Sequence, residues 1–203
     1  MNNRFMSKKR WRVSVSVAIA AIAAPIAAQA EELLSEKDAL MRVFQEPAEV
    51  SSQWIALSSN QMAQIKARTG MRDVPTVLRY CAVRSTTART GESAITNDTV
   101  CGYTLVHTVD GKHGPIRLMV AVTPELVVIR TEILAFREQR GRSVREQTFL
   151  SQFTGKTPAD TFVLRSDIDG VTGATVSSHA VAQGVREALI FLSVLTTADN
   201  KDH

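Results

Sequence analysis

Residues 169–196 carry the stretch that decides the fold, DGVTGATVSSHAVAQGVREALIFLSVLT. Beyond its first turn it has the spacing of an amphipathic helix, because apolar residues recur at i, i+4, i+7, i+8, i+11 and i+14: Val181, Val185, Ala188, Leu189, Leu192 and Leu195. We predict a helix from about Ser177 to Thr196, capped at its N-terminus by Ser177 or Ser178. The loop from Asp169 to Thr175 then opens directly into this helix.

This loop has the composition of an anion site. The N–H groups and the dipole of a helix N-terminus favour negative charge, so a phosphate on Thr172 or Thr175 would be stabilised there. Gly173 allows a tight backbone turn, and Ala174 adds little volume. The alternative is an ordinary capped turn, in which Asp169 is a solvated acid. The residues alone leave both interpretations open.

The pattern Asp169-x-x-Thr172-Gly173-Ala174-Thr175 resembles the acceptor motif of the FMN-binding domain family, the covalently flavinylated proteins of sodium-pumping quinone reductases and Rnf-type complexes. The resemblance implies that Thr175 carries FMN through a phosphoester bond. It also implies a flavin transferase, which uses FAD and Mg²⁺, as the partner that loads the cofactor. Asp169, Thr172, Gly173 and Ala174 would complete the binding motif.

The resemblance extends over about residues 100 to 192. It includes the turn from Gly111 to Ile116, where Gly114 and Pro115 would contact the polar edge of the flavin ring without a covalent bond. It also includes Phe153-Thr154-Gly155-Lys156. The loop at 137–142 departs from the family, because Glu138 and Gly141 match its pattern and Gln139 and Arg140 do not. This departure leaves the shape of the loop beside the ring open.

A three-stranded antiparallel meander precedes the motif. Apolar and polar residues alternate from Thr99 to Val109, from Ile116 to Val122 and from Val127 to Ala135, with Asp110-Gly111 and Thr123-Pro124-Glu125 as turns. Three strands need a cover, and we expect the helices on one face, with the last helix over the meander. The predicted fold class is therefore α+β: an antiparallel β-meander packed against helices, with the flavin-attachment loop at the N-terminus of the C-terminal helix.

Two shorter helices are predicted before the meander. Ser35 precedes acids and an apolar face, and Pro47 would end that helix. Ser58-Ser59-Asn60 would cap a second helix that stops at Gly70, after a short strand near Trp54.

The first thirty residues predict export. A basic start, an apolar stretch from Val13 to Ala28 and the small-x-small end Ala28-Gln29-Ala30 are typical of a signal peptide cleaved after Ala30. The alternative is an uncleaved anchor in the inner membrane facing the periplasm, although the stretch is shorter than the usual span of about 20 residues. Cleavage removes five of the 24 basic residues, which leaves 19 against 20 acids and a formal net charge of −1. Nucleic acid is therefore not an expected partner.

We divide the chain into a signal peptide at 1–30, an N-terminal helical and strand part at 31–98, an FMN-binding core of the same domain at 99–196 and a polar tail at 197–203. Cys81 and Cys101 lie on strand-like runs, and in an oxidising compartment we expect them to form a disulfide. His107, on an apolar strand face, is expected to be a hydrogen-bonded core residue. We predict no metal ligands and no catalytic residues.

The expected function is electron transfer through the flavin, from a membrane-bound reductase to a periplasmic acceptor. Two alternatives remain open. One is a periplasmic flavin reductase that acts directly on a small oxidant, and the other is a flavin-free binding or structural module on the same scaffold.

Overall fold

Six antiparallel strands form one sheet in the computed structural model, which describes residues 31–44, 48–86, 98–137 and 142–199. The elements in chain order are β1 (Glu31–Glu32), α1 (Glu36–Val43), β2 (Ala48–Ala56), α2 (Ser59–Thr69), β3 (Val77–Thr86), β4 (Asp98–Asp110), β5 (Pro115–Val122), β6 (Val128–Phe136), α3 (Gln147–Leu150) and α4 (Thr175–Asp199). Short 3-10 turns flank α3 at Arg142–Arg145 and Ser151–Phe153. The sheet order is β1-β6-β5-β4-β3-β2.

The predicted meander is β4, β5 and β6, and the antiparallel pairing of these strands is confirmed. The sheet is wider than the sequence pattern indicated, because β2 and β3 continue it beyond β4 and the short β1 pairs with β6. The strand predicted near Trp54 is nine residues long and forms one edge. The sequence-predicted N-terminal part and FMN-binding core thus share one hydrogen-bonded sheet.

Helix α4 covers one face of the sheet. Its core side chains are buried with alternate residues of the central strands, including Leu118 and Val120 of β5. Gly184 lies where the helix comes closest, since a Cβ added there would be 2.8 Å from Leu118 Cδ2 and from Val109 Cγ1. Glycine is therefore the residue that permits this close helix-to-sheet packing.

Helix α1 covers the opposite face, which corrects the expectation that the helices share one side. Ala39 packs in a separate cluster with Met119 and Leu134, and Met119 alternates along β5 with Leu118 on the α4 side. Strand β5 buries apolar side chains on both faces of the sheet, so both faces must be packed against other elements. Helix α1 packs against the second face.

The caps of α1 and α2 follow the prediction. Ser35 Oγ accepts from the Asp38 N–H at 3.1 Å, and Ser58 forms a reciprocal capping box with Gln61. Gly70 ends α2 in the left-handed conformation with φ of 76°.

The predicted disulfide between Cys81 and Cys101 is wrong for this structure, in which both thiols are free. Cys81 lies opposite Thr104 in the β3–β4 register, and Cys101 lies at the register shift, three residues further along β4. At about 3.4 Å per residue that offset is roughly 10 Å, beyond the ~7 Å that a disulfide spans. The Cys101 thiol instead donates to the Val83 carbonyl at 3.2 Å, and Cys81 Sγ lies 3.2 Å from Ser52 Oγ.

Some expectations lie outside the described residues. These are the signal peptide at 1–30, the role of Pro47, the loop residues Glu138 to Gly141, and positions 200–203 of the polar tail.

Candidate functional site

Thr175 is the first residue of α4. The first backbone hydrogen bond of the helix runs from the Ser178 N–H to the Ala174 carbonyl at 2.8 Å. The helix therefore begins two residues before the predicted start at Ser177. Neither Ser177 nor Ser178 is the N-cap, because both lie inside the helix and are buried.

The loop before α4 closes on itself in a tight turn. The Ala174 N–H donates to the Val171 carbonyl at 3.0 Å, with Thr172 and Gly173 as the central residues. Gly173 has a φ of 79°, which is the left-handed conformation that the third position of such a turn demands. Ser178 Oγ accepts from the Val171 N–H at 3.0 Å, so the first turn of the helix holds the start of the loop.

Thr175 is exposed at the start of the helix. Thr172 and Gly173 are exposed as well, whereas Ala174 is buried and anchors the turn. A Cβ placed on Gly173 would meet no atom within 4 Å. Thr175 and the turn before it are therefore open to solvent, as attachment of a bulky group would require.

The electrostatics at Thr175 fit a phosphate. Because Ser178 donates the first helical bond, the N–H groups of Thr175 and Val176 have no partner inside the helix and point toward its N-terminal end. Partial positive charge from these groups and from the helix dipole stabilises an anion at this position. The residues present thus match the requirements of a phosphoester at Thr175 in both space and charge.

Asp169, the first residue of the motif, is held by a side chain from another element. The Asp169 N–H donates to Gln152 Oε1 at 2.7 Å, and Gln152 Nε2 donates to the Asp169 carbonyl at 3.2 Å. Gln152 belongs to the 3-10 turn after α3, and its neighbour Phe153 is fully buried. The loop is therefore fixed to the core at its first residue, while the Asp169 side chain remains exposed.

A constrained segment leads into the motif. Phe162 and Arg165 adopt left-handed φ angles of 57° and 67°, which non-glycine residues rarely do. The Asp167 carboxylate stabilises this geometry by accepting from the Phe162 N–H at 2.9 Å and the Val163 N–H at 2.6 Å, and Lys156 Nζ lies 3.3 Å away. Burial raises the pKa of Asp167, but these hydrogen bonds and Lys156 outweigh it, so the pKa lies below its ordinary value.

Gly114 and Pro115 lie at the same end of the molecule as the motif. Ala180 of α4 lines a cleft of about 360 Å³ with Val109 and Asp110, the last residues of β4. Pro115 pairs with Asp110 across the turn, and the first turn of α4 extends beyond Ala180 in that direction. The structure thus brings the turn and the attachment loop to one end of the fold.

A second cleft, of about 660 Å³, runs beside the exposed side of α4. Its lining includes His179, Gln183 and Arg186, which follow Thr175 along that side, and Phe162 and Leu164 of the constrained segment. The cleft therefore begins one helical turn after Thr175, at His179.

His107 of β4 faces α4 and lines the 360 Å³ cleft. It is hydrogen-bonded, as predicted, because its Nε2 lies 2.8 Å from Glu187 Oε2, and its side chain is partly buried.

Three residues that support the motif are not predicted from the sequence in these roles: Gln152, Asp167 and Ser178. Gln152 binds the backbone of Asp169, which is distant in sequence, and Asp167 binds a backbone segment in an unusual conformation. No local sequence pattern indicates either role. Ser178 is predicted only as a cap.

Residues 111–190 match the model of the FMN-binding domain family. This part of the chain is similar to that family, and the match supports FMN as the cofactor. The resemblance deduced from the motif is confirmed.

Among curated proteins, one subunit of the proton-translocating ferredoxin:NAD(+) oxidoreductase complex of Clostridium ljungdahlii is 36% identical over 94 residues, which is 42% of this chain and 50% of the relative. The chain spans about half the length of this curated relative.

Two solved structures resemble this chain. NqrC of Shewanella oneidensis has a TM-score of 0.51 at 17% identity, covering 80% of this chain and 91% of that one. The corresponding protein of the Na(+)-translocating NADH-quinone reductase of Parabacteroides distasonis has a TM-score of 0.48 at 14% identity, covering 72% and 77%. The likeness to NqrC confirms the α+β fold class.

One helix among the described residues, Thr175–Thr197, is long and apolar enough to cross a membrane, but 72% of its most apolar window is buried inside the fold. Burial of that extent is what a core helix shows. Within the ranges that the structure describes, no group of three or more His, Cys, Asp or Glu side chains could hold a metal ion.

Proposed function

We propose that this chain is an exported flavoprotein that carries FMN covalently on Thr175 and transfers electrons between a membrane-bound redox partner and a periplasmic acceptor. The observation that carries the proposal is the exposed Thr175 hydroxyl at the N-terminus of α4, within the region that matches the FMN-binding domain family. The similarity to a component of a redox complex supports the electron-transfer role.

The attachment chemistry assigned to Thr175 is a phosphoryl transfer. Its Oγ1 would form a bond to the FMN phosphorus of FAD in the active site of a flavin transferase with Mg²⁺. The pyrophosphate bond of FAD breaks, AMP leaves, and the hydroxyl proton is released to a base of the transferase or to water. Exposure of Thr175 supports this role, because the hydroxyl must enter the active site of another protein.

Bound FMN supplies one- and two-electron transfer, and this chain's own residues hold it. The first-turn N–H groups of α4 would stabilise the phosphoester, and Gly114 and Pro115 would contact the ring from the turn at the same end of the fold. A covalent tether prevents loss of the cofactor outside the cytoplasm.

Export is part of the proposal. The signal peptide would be removed after Ala30, so that the mature chain starts at Glu31, the first residue of β1. Residues 31–98 and 99–196 would then form one domain around the shared sheet. Edman sequencing of protein isolated from the periplasm is expected to begin at Glu31-Glu32-Leu33, and a membrane-bound chain with an intact N-terminus would support the anchor instead.

Intact mass measurement tests the attachment. The mature chain, co-expressed with a flavin transferase, is expected to gain the mass of FMN minus water. Thr175→Val keeps the β-branched shape but lacks the hydroxyl, and it should gain nothing. Thr148→Val is the control, since it removes an exposed threonine hydroxyl outside the motif and should keep the adduct. An adduct on Thr175→Val, or none on the wild type, would contradict the proposal.

Two other functions are distinguished by further measurements. A flavin reductase acting directly on a small oxidant is favoured by the 660 Å³ cleft that begins one turn after Thr175. Steady turnover of an oxidant by loaded protein with an artificial donor would support it. A wild-type chain that never acquires flavin would support a binding or structural module.

A further inference from the structure

We infer that Gln152 is a positioning residue for flavin attachment: its carboxamide holds the backbone of Asp169 and keeps the loop 169–175 in the conformation that the flavin transferase recognises. The inference rests on the proposed loading of Thr175. It adds a residue outside the attachment motif, on a different element of the fold.

The carboxamide of Gln152 is suited to this contact because it both donates and accepts. Its Oε1 accepts from the Asp169 N–H at 2.7 Å, and its Nε2 donates to the carbonyl of the same residue at 3.2 Å. Both backbone groups of Asp169 are thereby satisfied, as they would be by a neighbouring strand. A glutamate at 152 could accept but not donate when ionised, and a methionine could do neither well.

Gln152 is itself held in place by the core. It lies between Leu150 and Phe153, which are buried at 1% and 0% exposure, and Phe153 packs edge-on against Phe149 and parallel to Phe162. The Nε2 also lies 3.4 Å from the Phe149 carbonyl. The Gln152 side chain therefore holds the exposed residue Asp169 at a fixed position relative to the buried 3-10 turn.

The other end of the loop is fixed separately. Ser178, which is fully buried, accepts from the Val171 N–H, and the turn from Val171 to Ala174 follows. Asp169 and Gly170 thus lie between two fixed points, Gln152 and Ser178. Without Gln152, the first residue of the motif would lose its attachment while Thr175 kept its place in the helix.

This geometry predicts a specific kinetic defect. When only a fraction of molecules holds the recognised conformation, the apparent affinity falls by that fraction, but the chemistry on a bound molecule is unchanged. Gln152→Met should therefore raise the transferase KM for the unloaded chain by about tenfold and leave kcat within about twofold. Gln152→Glu, which keeps the acceptor, should be intermediate.

The experiment uses the unloaded mature chain, a flavin transferase, FAD and Mg²⁺, with loading followed by intact mass. Gln147→Met is the matched control, because Gln147 lies five residues earlier, in α3, and donates to Glu132 at 3.3 Å, away from the motif. Hydrogen exchange of the Asp169 amide in unloaded protein is the second readout, and it should be at least about tenfold faster in Gln152→Met. Thermal unfolding identifies any variant that fails to fold, and Gln152→Glu then takes the place of Gln152→Met.

A wild-type KM for Gln152→Met, with or without faster amide exchange, would overturn the inference and leave the proposed function intact. Equal KM increases in Gln152→Met and Gln147→Met would also overturn it, since a general loss of stability would then explain both. A wild-type chain that accepts no FMN would overturn the proposed function itself and the inference with it.

Discussion

Nε2 of His107 lies 2.8 Å from Oε2 of Glu187, and this hydrogen bond joins β4 to α4 inside the fold. The two side chains are only 14% and 4% exposed. Gln183 donates to the other carboxylate oxygen at 2.8 Å, and the His107 ring packs edge-on against Phe191 at 5.2 Å. Burial raises the pKa of Glu187. The hydrogen bonds with His107 and Gln183 together lower it by more, so the pKa lies below its ordinary value of 4.5.

The lowered pKa of Glu187 predicts how stability depends on pH. A carboxylate with a lower pKa in the folded chain stabilises it above the ordinary value, and this contribution is lost as the pH falls through the folded pKa. In Glu187→Gln the free energy of unfolding should therefore fall less steeply with acid below about pH 4.5. At pH 7 the variant should be less stable by about 1.5–3 kcal/mol, the usual contribution of a hydrogen bond to a charged group.

Urea unfolding at a series of pH values measures both effects. The exposed Glu125→Gln is the control and should follow the wild-type curve. A Glu187→Gln curve parallel to that of the wild type through the acid range would show that the carboxylate is not stabilised in the fold.

Gly184→Ala should lower stability even though alanine favours helices. The helix propensity gain is about 1 kcal/mol, while forcing a methyl group into contact with Leu118 and Val109 at 2.8 Å costs about 1–3 kcal/mol. We expect a net loss of about 1 kcal/mol in urea unfolding, and a larger loss for Gly184→Val. The loss should shrink by at least about 0.5 kcal/mol in a Leu118→Ala background, and an unchanged loss there would argue against steric contact as its cause.

Gly173→Ala separates backbone strain from crowding. No atom would meet the added methyl group within 4 Å, but a φ of 79° costs an ordinary residue about 1–2 kcal/mol. We expect a loss of about 1 kcal/mol in thermal or urea unfolding, and a smaller loss for Gly173→Asn, since asparagine tolerates this conformation. If Ala and Asn cost the same, strain at this residue would not be the explanation.

Both cysteines should be reduced in the native protein. The β3–β4 register separates Cys81 from Cys101 by more than a disulfide can span. Alkylation in denaturant without reductant, followed by mass measurement, should add two groups. A mass with no added groups would show a bonded pair and a different register in this part of the sheet.

The elements with strong local signals could be predicted from the sequence. Alternation marked β4 to β6, Ser35 and Ser58 marked two helix starts, and Gly70 marked a helix end, because each of these features acts through near neighbours. The motif around Thr175 was predicted correctly as the start of the last helix, with an error of two residues. That error arose because Ser178 has the chemistry of a cap but is used by Val171.

The rest depended on contacts between distant residues. No local sequence pattern indicates that α1 packs on the face of the sheet opposite α4. Nor does a local pattern indicate that the β3–β4 register places Cys81 and Cys101 too far apart for a disulfide. The left-handed backbone at Phe162 could not be predicted, because the residue is not a glycine. The Asp167 carboxylate, five residues later, stabilises this conformation by accepting from the Phe162 N–H. The link from Gln152 to Asp169 is a tertiary contact of the same kind.

The pairing of Glu31 with Phe136 fixes the end of the sheet at which the chain enters the described domain. Phe136 is the last residue of β6, at the end of the sheet that also holds the β4–β5 turn and the first turn of α4. A leader kept as a membrane anchor would therefore enter the domain at the same end of the fold as the proposed attachment loop, so that the flavin would face the side from which the anchor comes.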